Sequence, residues 1–481
     1  MKISDAMQGV HPVGQTEYGA CYPAAQAVLT NNAVHTDFPG YTGTGAVGPF
    51  MEDGARADLY IVVEKEGMYD ITVWIASPHG NKTNSLIIND EIMGELYTPS
   101  NPSFIPLTLQ QNYLYEGVNK LSFIKSWGYI FVDSVCVRPS APADPHAFSV
   151  PPILVNPNAS SSAKRLMHFL SDQYGKKIIT GQHVNGDIHS PELKAIHTLT
   201  GHYPAVAEFD FIDYSPTRVE FGLSSRLTDD AIIWAKEQKG IVGFCWHWNA
   251  PTDLLNVPGH EWWSGFYTHA TTFDIAAVMD GKEPEKYALL LRDIDTIAEQ
   301  LKRLQDEDIP VLWRPLHEAS GGWFWWGAKG PEPYIRLYHL LYERLTNYHG
   351  LNNLIWVWNG QAKDWYPGDA YVDVIGEDVY APEHCYAAQN GRFHQAQGYT
   401  SAKKIIALTE NGIVPDIDWM FRDQAPWCWY STWCGGFVVQ DGTDHDYSEK
   451  CTEAHILQKM YQSEKSITLE DLPDLSQYPL P

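Results

Sequence analysis

The stretch IPVLWRPLHE, residues 309–318, begins apolar and ends polar, with Arg314, His317 and Glu318 close together. A short apolar run closed by Pro and polar residues has the length of a strand buried on both faces, and is too short for a buried helix. Seven further stretches of the second half share this form: KKIITGQH (176–183), YPAVAEFDFI (203–212), GIVGFCWHW (240–248), NNLIWVWNG (352–360), VDVIGEDVY (372–380), KKIIALTENG (403–412) and WCWYSTWCGG (427–436). Amphipathic segments such as LTDDAIIWAKEQK and PEPYIRLYHLLYERLTNYH lie between most of them. Buried strands alternating with helices imply a parallel sheet covered by helices, and eight such units imply a (β/α)8 TIM barrel.

The first half has another rhythm. DLYIVVEK, MYDITVWIAS, NSLIIND, NKLSFIKS and YIFVDSVCVR are rich in β-branched and aromatic residues and are separated by turn signals. This pattern predicts a β-sandwich of jelly-roll type. The stretch RPSAPADPHAFSVPPILVNPNASSS carries six prolines and reads as a linker. The expected division is a sandwich over 1–139, a linker over 140–152 and a barrel over 153–481.

Composition narrows the function. The 481 residues carry a formal charge of -26, which repels phosphate backbones and anionic membranes. Aromatic residues reach 13%, with 18 Trp and 27 Tyr, which fits either a large core or a surface that stacks sugar rings. Seven cysteines at scattered positions suggest no disulfide framework, and Cys428 and Cys434 in an apolar run read as buried free thiols. The opening MKISDAMQGV has no apolar signal core and no run is long enough to span a bilayer, so the protein is expected to be intracellular or to have lost a leader. The sequons at Asn81 and Asn158 matter only on secretion by a eukaryote.

Barrel active sites sit at the C-terminal ends of the strands. Those ends carry Gln182, His183, Glu208, Asp210, His247, Trp248, Arg314, His317 and Glu318, then Trp358, Asn359, Asp378, Tyr380, Glu410, Asn411 and Trp433. Glu318 and Glu410, on strands four and seven, are the minimal equipment for glycoside hydrolysis: one carboxyl protonated to assist departure, one ionised to attack. Aromatic neighbours suit Glu318 to the acid role, while Arg314 and Tyr380 reaching Glu410 would suit it to the ionised one. The rival is a metal site built from His183, His247 and His317. The His-x-His pattern on the first strand is missing, and substrate contact is the preferred role of His247 and His317. No GxSxG occurs, and GYTGTG (40–45) lies outside any strand-to-helix turn.

These residues match a known pattern. RPLHEASGGWFWWG (314–327) resembles the acid/base segment of glycoside hydrolase family 26, and LTENG (408–412) its nucleophile segment. The resemblance implies a retaining, double-displacement endo-β-1,4-mannanase with Glu318 as acid/base and Glu410 as nucleophile. Arg314 and His317 would line the subsite of the cleaved sugar, Tyr380 would orient the nucleophile and His247 would touch substrate. Trp323 and Trp433 would be sugar platforms. The same family holds lichenases, β-1,3-xylanases and enzymes releasing mannobiose from chain ends; a non-catalytic sugar binder is the distant alternative. HTDFPGYTGTGAV (35–47) and SWGYIFVDSVCV (126–137) resemble a carbohydrate-binding module of family 35, with Trp127 at the binding face. That module usually opens with Tyr-Glu-Ala-Glu, whose carboxylates help hold a calcium; here the run is Tyr22-Pro23-Ala24-Ala25, while Asp133 is kept. The expected partner is β-mannan or manno-oligosaccharide, with no cofactor or metal, no nucleic acid and no membrane. A secreted monomer whose leader is absent from this chain is expected, with an intracellular enzyme as the alternative.

Overall fold

The computed structural model describes residues 11–142, 144, 146–186 and 189–481. Eight parallel strands close into a barrel: Gly181–His183, Val206–Asp210, Ile241–Cys245, Val311–Arg314, Leu354–Trp358, Val374–Val379, Ile405–Asn411 and Tyr430–Thr432. Each lies inside one of the eight apolar runs. Closure is made by Gln182 of the first strand pairing with Thr432 of the last. The first run is split: Ile178–Ile179 pairs with Ser466–Ile467 outside the barrel, and only Gly181–His183 enters it.

The strands are buried along their whole length because helices cover them outside and side chains fill them inside. Local signals set the helix ends. Ser160 caps Ser161–Gln173 by accepting from the Ala163 N–H, and Ser190 does the same for Leu193 in Pro191–Thr200. That second helix stops at Gly201, whose φ of 80° is open to glycine at little cost. Among the described residues, no helix is long and apolar enough to cross a membrane.

The N-terminal half is two antiparallel sheets. One pairs Val28–Thr30, Arg56–Val63, Gly117–Ile124, Lys82–Ile88 and Glu91–Thr98 in that order. The other centres on Gly67–Ser77 and Phe131–Pro139, flanked by Asn101–Leu114, Gly19–Pro23 and Ala46–Gly48. Alternation places Ala57, Leu59, Ile61 and Val63 in the core, with Leu121 and Phe123 beside them and Ile71, Val73 and Val135 from the facing sheet. Two short segments from later in the chain, 385–394 and 418–425, belong to this compact unit. Within the unit Arg422 donates to Glu91 (3.0 Å) and Asn390 to the Gln111 carbonyl (3.2 Å).

Cys21 and Cys136 form a disulfide across directly paired residues of adjacent strands, 115 residues apart in sequence. Strand register, invisible in cysteine spacing, brings them together. The other five cysteines carry no disulfide.

Candidate active site

The strand ends converge on Arg314. Its guanidinium is buried and donates to three carboxylates at 2.8 Å each: Nε to Glu208, Nη1 to Asp378 and Nη2 to Glu410. The planar fork suits this multiple role. Glu410 is held on its other oxygen by the Tyr380 hydroxyl at 2.5 Å, with His183 Nε2 4.0 Å from the Arg314-bound oxygen. Burial alone would raise the Glu410 carboxyl. The Arg314 charge outweighs it, joined by His183, His247 and the Tyr380 bond, so the group lies below its ordinary value. Asp378 goes the other way: burial raises it well up, against the pull of Arg314 and with repulsion from Glu410 and Glu318. Asn359 Nδ2 (2.6 Å) and Thr409 Oγ1 (2.8 Å) fix its second oxygen.

Glu318 stands beyond its strand rather than closing it. The strand ends at Arg314, and the next residues turn sharply, with Leu316 and Glu318 at φ 54° and 53°. The Glu318 N–H donates to the Asn359 carbonyl at 2.7 Å, which pins this turn to the end of the fifth strand. The loop that follows returns Trp323, whose Nε1–H donates to Glu318 Oε2 at 2.9 Å. Two glycines make the return possible. A Cβ at Gly321 would sit 2.1 Å from the Trp323 ring, and Gly322 has φ 72°. Phe324, Trp325 and Trp326 are buried; Trp326 Nε1 donates to the His317 carbonyl at 2.9 Å and Trp325 Nε1 to that of Trp248 at 2.6 Å. Burial first, then repulsion from Glu410, pushes the Glu318 carboxyl from 4.5 up to about 7, against the opposing effects of Trp323 and Arg314. One oxygen each of Glu318, Asp378 and Glu410 lies within 4.8 Å of the others.

His247 and His317 meet through their Nε2 atoms at 3.1 Å, and His247 Nδ1 lies 2.6 Å from Asp210. His183, the third histidine of the metal alternative, instead directs Nε2 at the Thr409 carbonyl at 3.2 Å. Trp433 is half-buried, its ring 4.8 Å from His183 and 5.6 Å from His247. Trp323 and Tyr380 are 45% and 46% exposed, so both leave ring surface open to solvent. Arg314 is 1% exposed, with its guanidinium turned to its three carboxylate partners. Glu208, Asp210, Asn359 and Asp378 stood among the strand-end residues but received no role; their position at the strand ends was the signal.

In the sandwich, Trp127 is 68% exposed and donates its backbone N–H to Thr83. The calcium ligands of the family 35 pattern do not fit here. Asp133 is buried with Oδ1 taken by the Thr42 N–H (2.6 Å) and Oδ2 by Thr42 Oγ1 (2.8 Å) and Ser134 Oγ (3.0 Å). Pro23, Ala24 and Ala25 offer no side-chain oxygen to a hard cation.

Two carboxylates with oppositely shifted acidity at the mouth of a (β/α)8 barrel define a class, the glycoside hydrolases. Residues 155–465 match the profile described as glycosyl hydrolase family 26, and residues 20–140 that of carbohydrate binding module family 35. The chain belongs to glycosyl hydrolase family 26. A mannan endo-1,4-β-mannosidase of Thermothelomyces thermophilus is 40% identical over 451 residues, covering 94% of this chain and 90% of that protein. A crystal structure of a Podospora anserina GH26-CBM35 β-(1,4)-mannanase, 40% identical, covers 95% of this chain and 99% of its own, with a TM-score of 0.67. A β-mannanase from a symbiotic protist of the termite Reticulitermes speratus, complexed with gluco-manno-oligosaccharide, is 32% identical and covers 68% of this chain and 99% of its own, with a TM-score of 0.59.

Proposed function

We propose that the chain is a retaining endo-β-1,4-mannanase acting on mannan, galactomannan or glucomannan. The observation that carries the mechanism is the closeness of the carboxylates. One oxygen of each lies within 4.8 Å of the other, which supports the close pairing of retaining enzymes, with carboxyl groups roughly 5–5.5 Å apart, over the roughly 6.5–9.5 Å that leaves room for an inverting water. Glu318, pushed up to about 7, holds its proton near neutrality and delivers it to the glycosidic oxygen as that bond breaks. Glu410, held ionised by Arg314 and Tyr380, attacks the anomeric carbon and forms a glycosyl-enzyme ester. Glu318, now a carboxylate, takes a proton from water as the water displaces Glu410 and releases the sugar.

Trp323 and Trp433 would stack sugar rings on the two sides of the cleaved bond, with His247 and His317 at its edge and Trp127 holding polymer on the module. The names of the relatives support mannan as the substrate, and the protist enzyme's gluco-manno-oligosaccharide supports tolerance of glucose in the chain. Secretion as a monomer is part of the proposal. A disulfide such as Cys21–Cys136 persists in oxidising compartments, and a polymer is too large to import.

Incubation with locust bean gum, barley glucan and β-1,3-xylan, with products resolved by chain length, tests the reading. A ladder of manno-oligosaccharides from the gum supports it. Mannobiose alone, or products from one of the other polymers only, would replace it with another activity of the family. Glu410→Ala should abolish turnover with the fold intact, and retained turnover would refute the nucleophile assignment.

A further inference from the structure

A second chain of hydrogen bonds lies beside the carboxylates. Asp210 ends the second barrel strand and is fixed by the backbone: its Oδ1 accepts from the N–H of Ile212 (2.9 Å) and of His247 (3.0 Å). Its Oδ2 meets His247 Nδ1 at 2.6 Å, so that nitrogen carries hydrogen. The opposite nitrogen of His247 faces His317 Nε2 at 3.1 Å, a distance at which one hydrogen is shared. His247 is therefore either neutral and accepting from His317, or an imidazolium donating to it. The Nδ1 of buried His317 has no partner in either case, so the bonds alone do not decide.

The surrounding charges do. Arg314 is the nearest permanent cation to Glu410, but it is divided among Glu208, Asp378 and Glu410. Even with Asp378 pushed up toward its neutral form, one positive charge faces both Glu208 and Glu410, which leaves an excess of negative charge in a buried site and favours a second cation. The ring of His247 lies against Asp210, the Cys245 thiol and His317; the charges acting on it are those of Asp210 and Glu410 on the acidic side and Arg314 on the basic side, and its own charge acts in turn on Glu318 and His317. The rings of Phe266 (5.2 Å), Phe324 (5.5 Å) and Trp433 (5.6 Å) surround it and limit screening by water. Burial disfavours charge on His247, yet Asp210 outweighs it and raises the imidazole; His317 is lowered well below its ordinary value by burial and by its neighbours His247, Arg314 and His183. These opposite directions make His247, and not His317, the member of the pair that takes a charge.

We propose that Asp210 is a positioning residue of the reaction: it holds His247 as an imidazolium, and that cation keeps Glu410 ionised for attack. This rests on the reading of Glu410 as nucleophile. The acid limb of kcat/KM then reports Glu410, and loss of the cation moves that limb upward.

The test is the pH dependence of kcat/KM on mannopentaose for the full chain and for Asp210→Asn, Asp210→Glu, His247→Gln and the Asp210→Asn/His247→Gln double variant. The acid limb should rise by about one pH unit in His247→Gln, the size expected of one charge lost from a partly screened site, and by less in Asp210→Asn, which removes the Asp210 negative charge together with the positive charge of His247. Asp210→Glu should return it toward the parent, and the double variant should match Asp210→Asn alone, because Asp210→Asn already discharges His247 and the glutamine then removes no further charge. An unmoved limb in either single variant, or shifts that add in full in the double, would overturn the proposal. Should Asp210→Asn fail to fold, His247→Gln decides alone: a raised limb supports the proposal and an unmoved one overturns it. Glu410→Ala separates the two levels. If it is active, the nucleophile reading fails and takes this inference with it; if it is inactive while the limbs stay put, only the inference fails.

Discussion

Replacing Glu318 by Gln should stabilise the protein at alkaline pH while destroying its activity. The folded-state carboxyl sits at about 7 and its ordinary value is 4.5, so between these values the folded form binds the extra proton. A group that holds more protons folded than unfolded loses stability as pH rises, and here the loss runs from about pH 4.5 to about pH 7. A rise of about 2.5 units corresponds to about 3 kcal/mol, fully felt by pH 8 and absent at pH 4. The cause is physical: above pH 7 a negative charge is held among aromatic rings and next to Glu410. Glutamine keeps the shape, still accepts from Trp323 Nε1 and carries no charge. For a domain of this size about 3 kcal/mol corresponds to roughly 6 °C in melting temperature. Scanning calorimetry on both proteins at pH 4.5 and pH 8, reading the barrel transition, measures it. The gain should appear at pH 8 and vanish at pH 4.5. Equal melting temperatures at pH 8, or a gain of the same size at both, would refute the claim that Glu318 is kept protonated by its surroundings.

Trp323→Phe removes the N–H that steadies the Glu318 carboxylate, so the alkaline limb of kcat/KM should rise by about half a pH unit; the half-exposed indole makes the bond weaker than a buried charged one. An unmoved limb would mean the bond does not form in solution. Gly321→Ala places a Cβ where the Trp323 ring now lies and should lower kcat/KM about tenfold with little change in melting temperature; unchanged kinetics would show the ring is not held there. The sandwich should melt at the same temperature with and without EDTA, while Asp133→Ala should cost about 2–3 kcal/mol through its lost bonds to Thr42 and Ser134. A downward shift on chelation would restore the calcium site.

Legibility in the sequence followed the range of the interactions. The barrel strands are local runs of apolar residues, and all eight were visible because burial on both faces writes itself into consecutive positions. Glu318 and Glu410 were visible because the fold rule fixes where strand ends point. Arg314 was expected to meet Glu410, but its grip on Glu208 and Asp378 was not, since two residues 106 and 64 positions away from it converge on it only when the barrel closes. The Cys21–Cys136 bridge was missed for the same reason, a strand pairing across 115 residues. The return of Trp323 to Glu318 depends on the backbone of Gly321 and Gly322, a turn whose direction residue types alone do not give.

The most direct measurement is covalent trapping of the intermediate. A 2-deoxy-2-fluoro-mannoside with a good leaving group slows the second step of double displacement and leaves the sugar on the nucleophile. Peptide mass spectrometry of the inactivated protein should place one fluorinated sugar on Glu410, and Glu410→Ala should take up none. A label on Glu318 or Asp378, or complete hydrolysis with no trapped ester and release of the inverted anomer, would contradict the account.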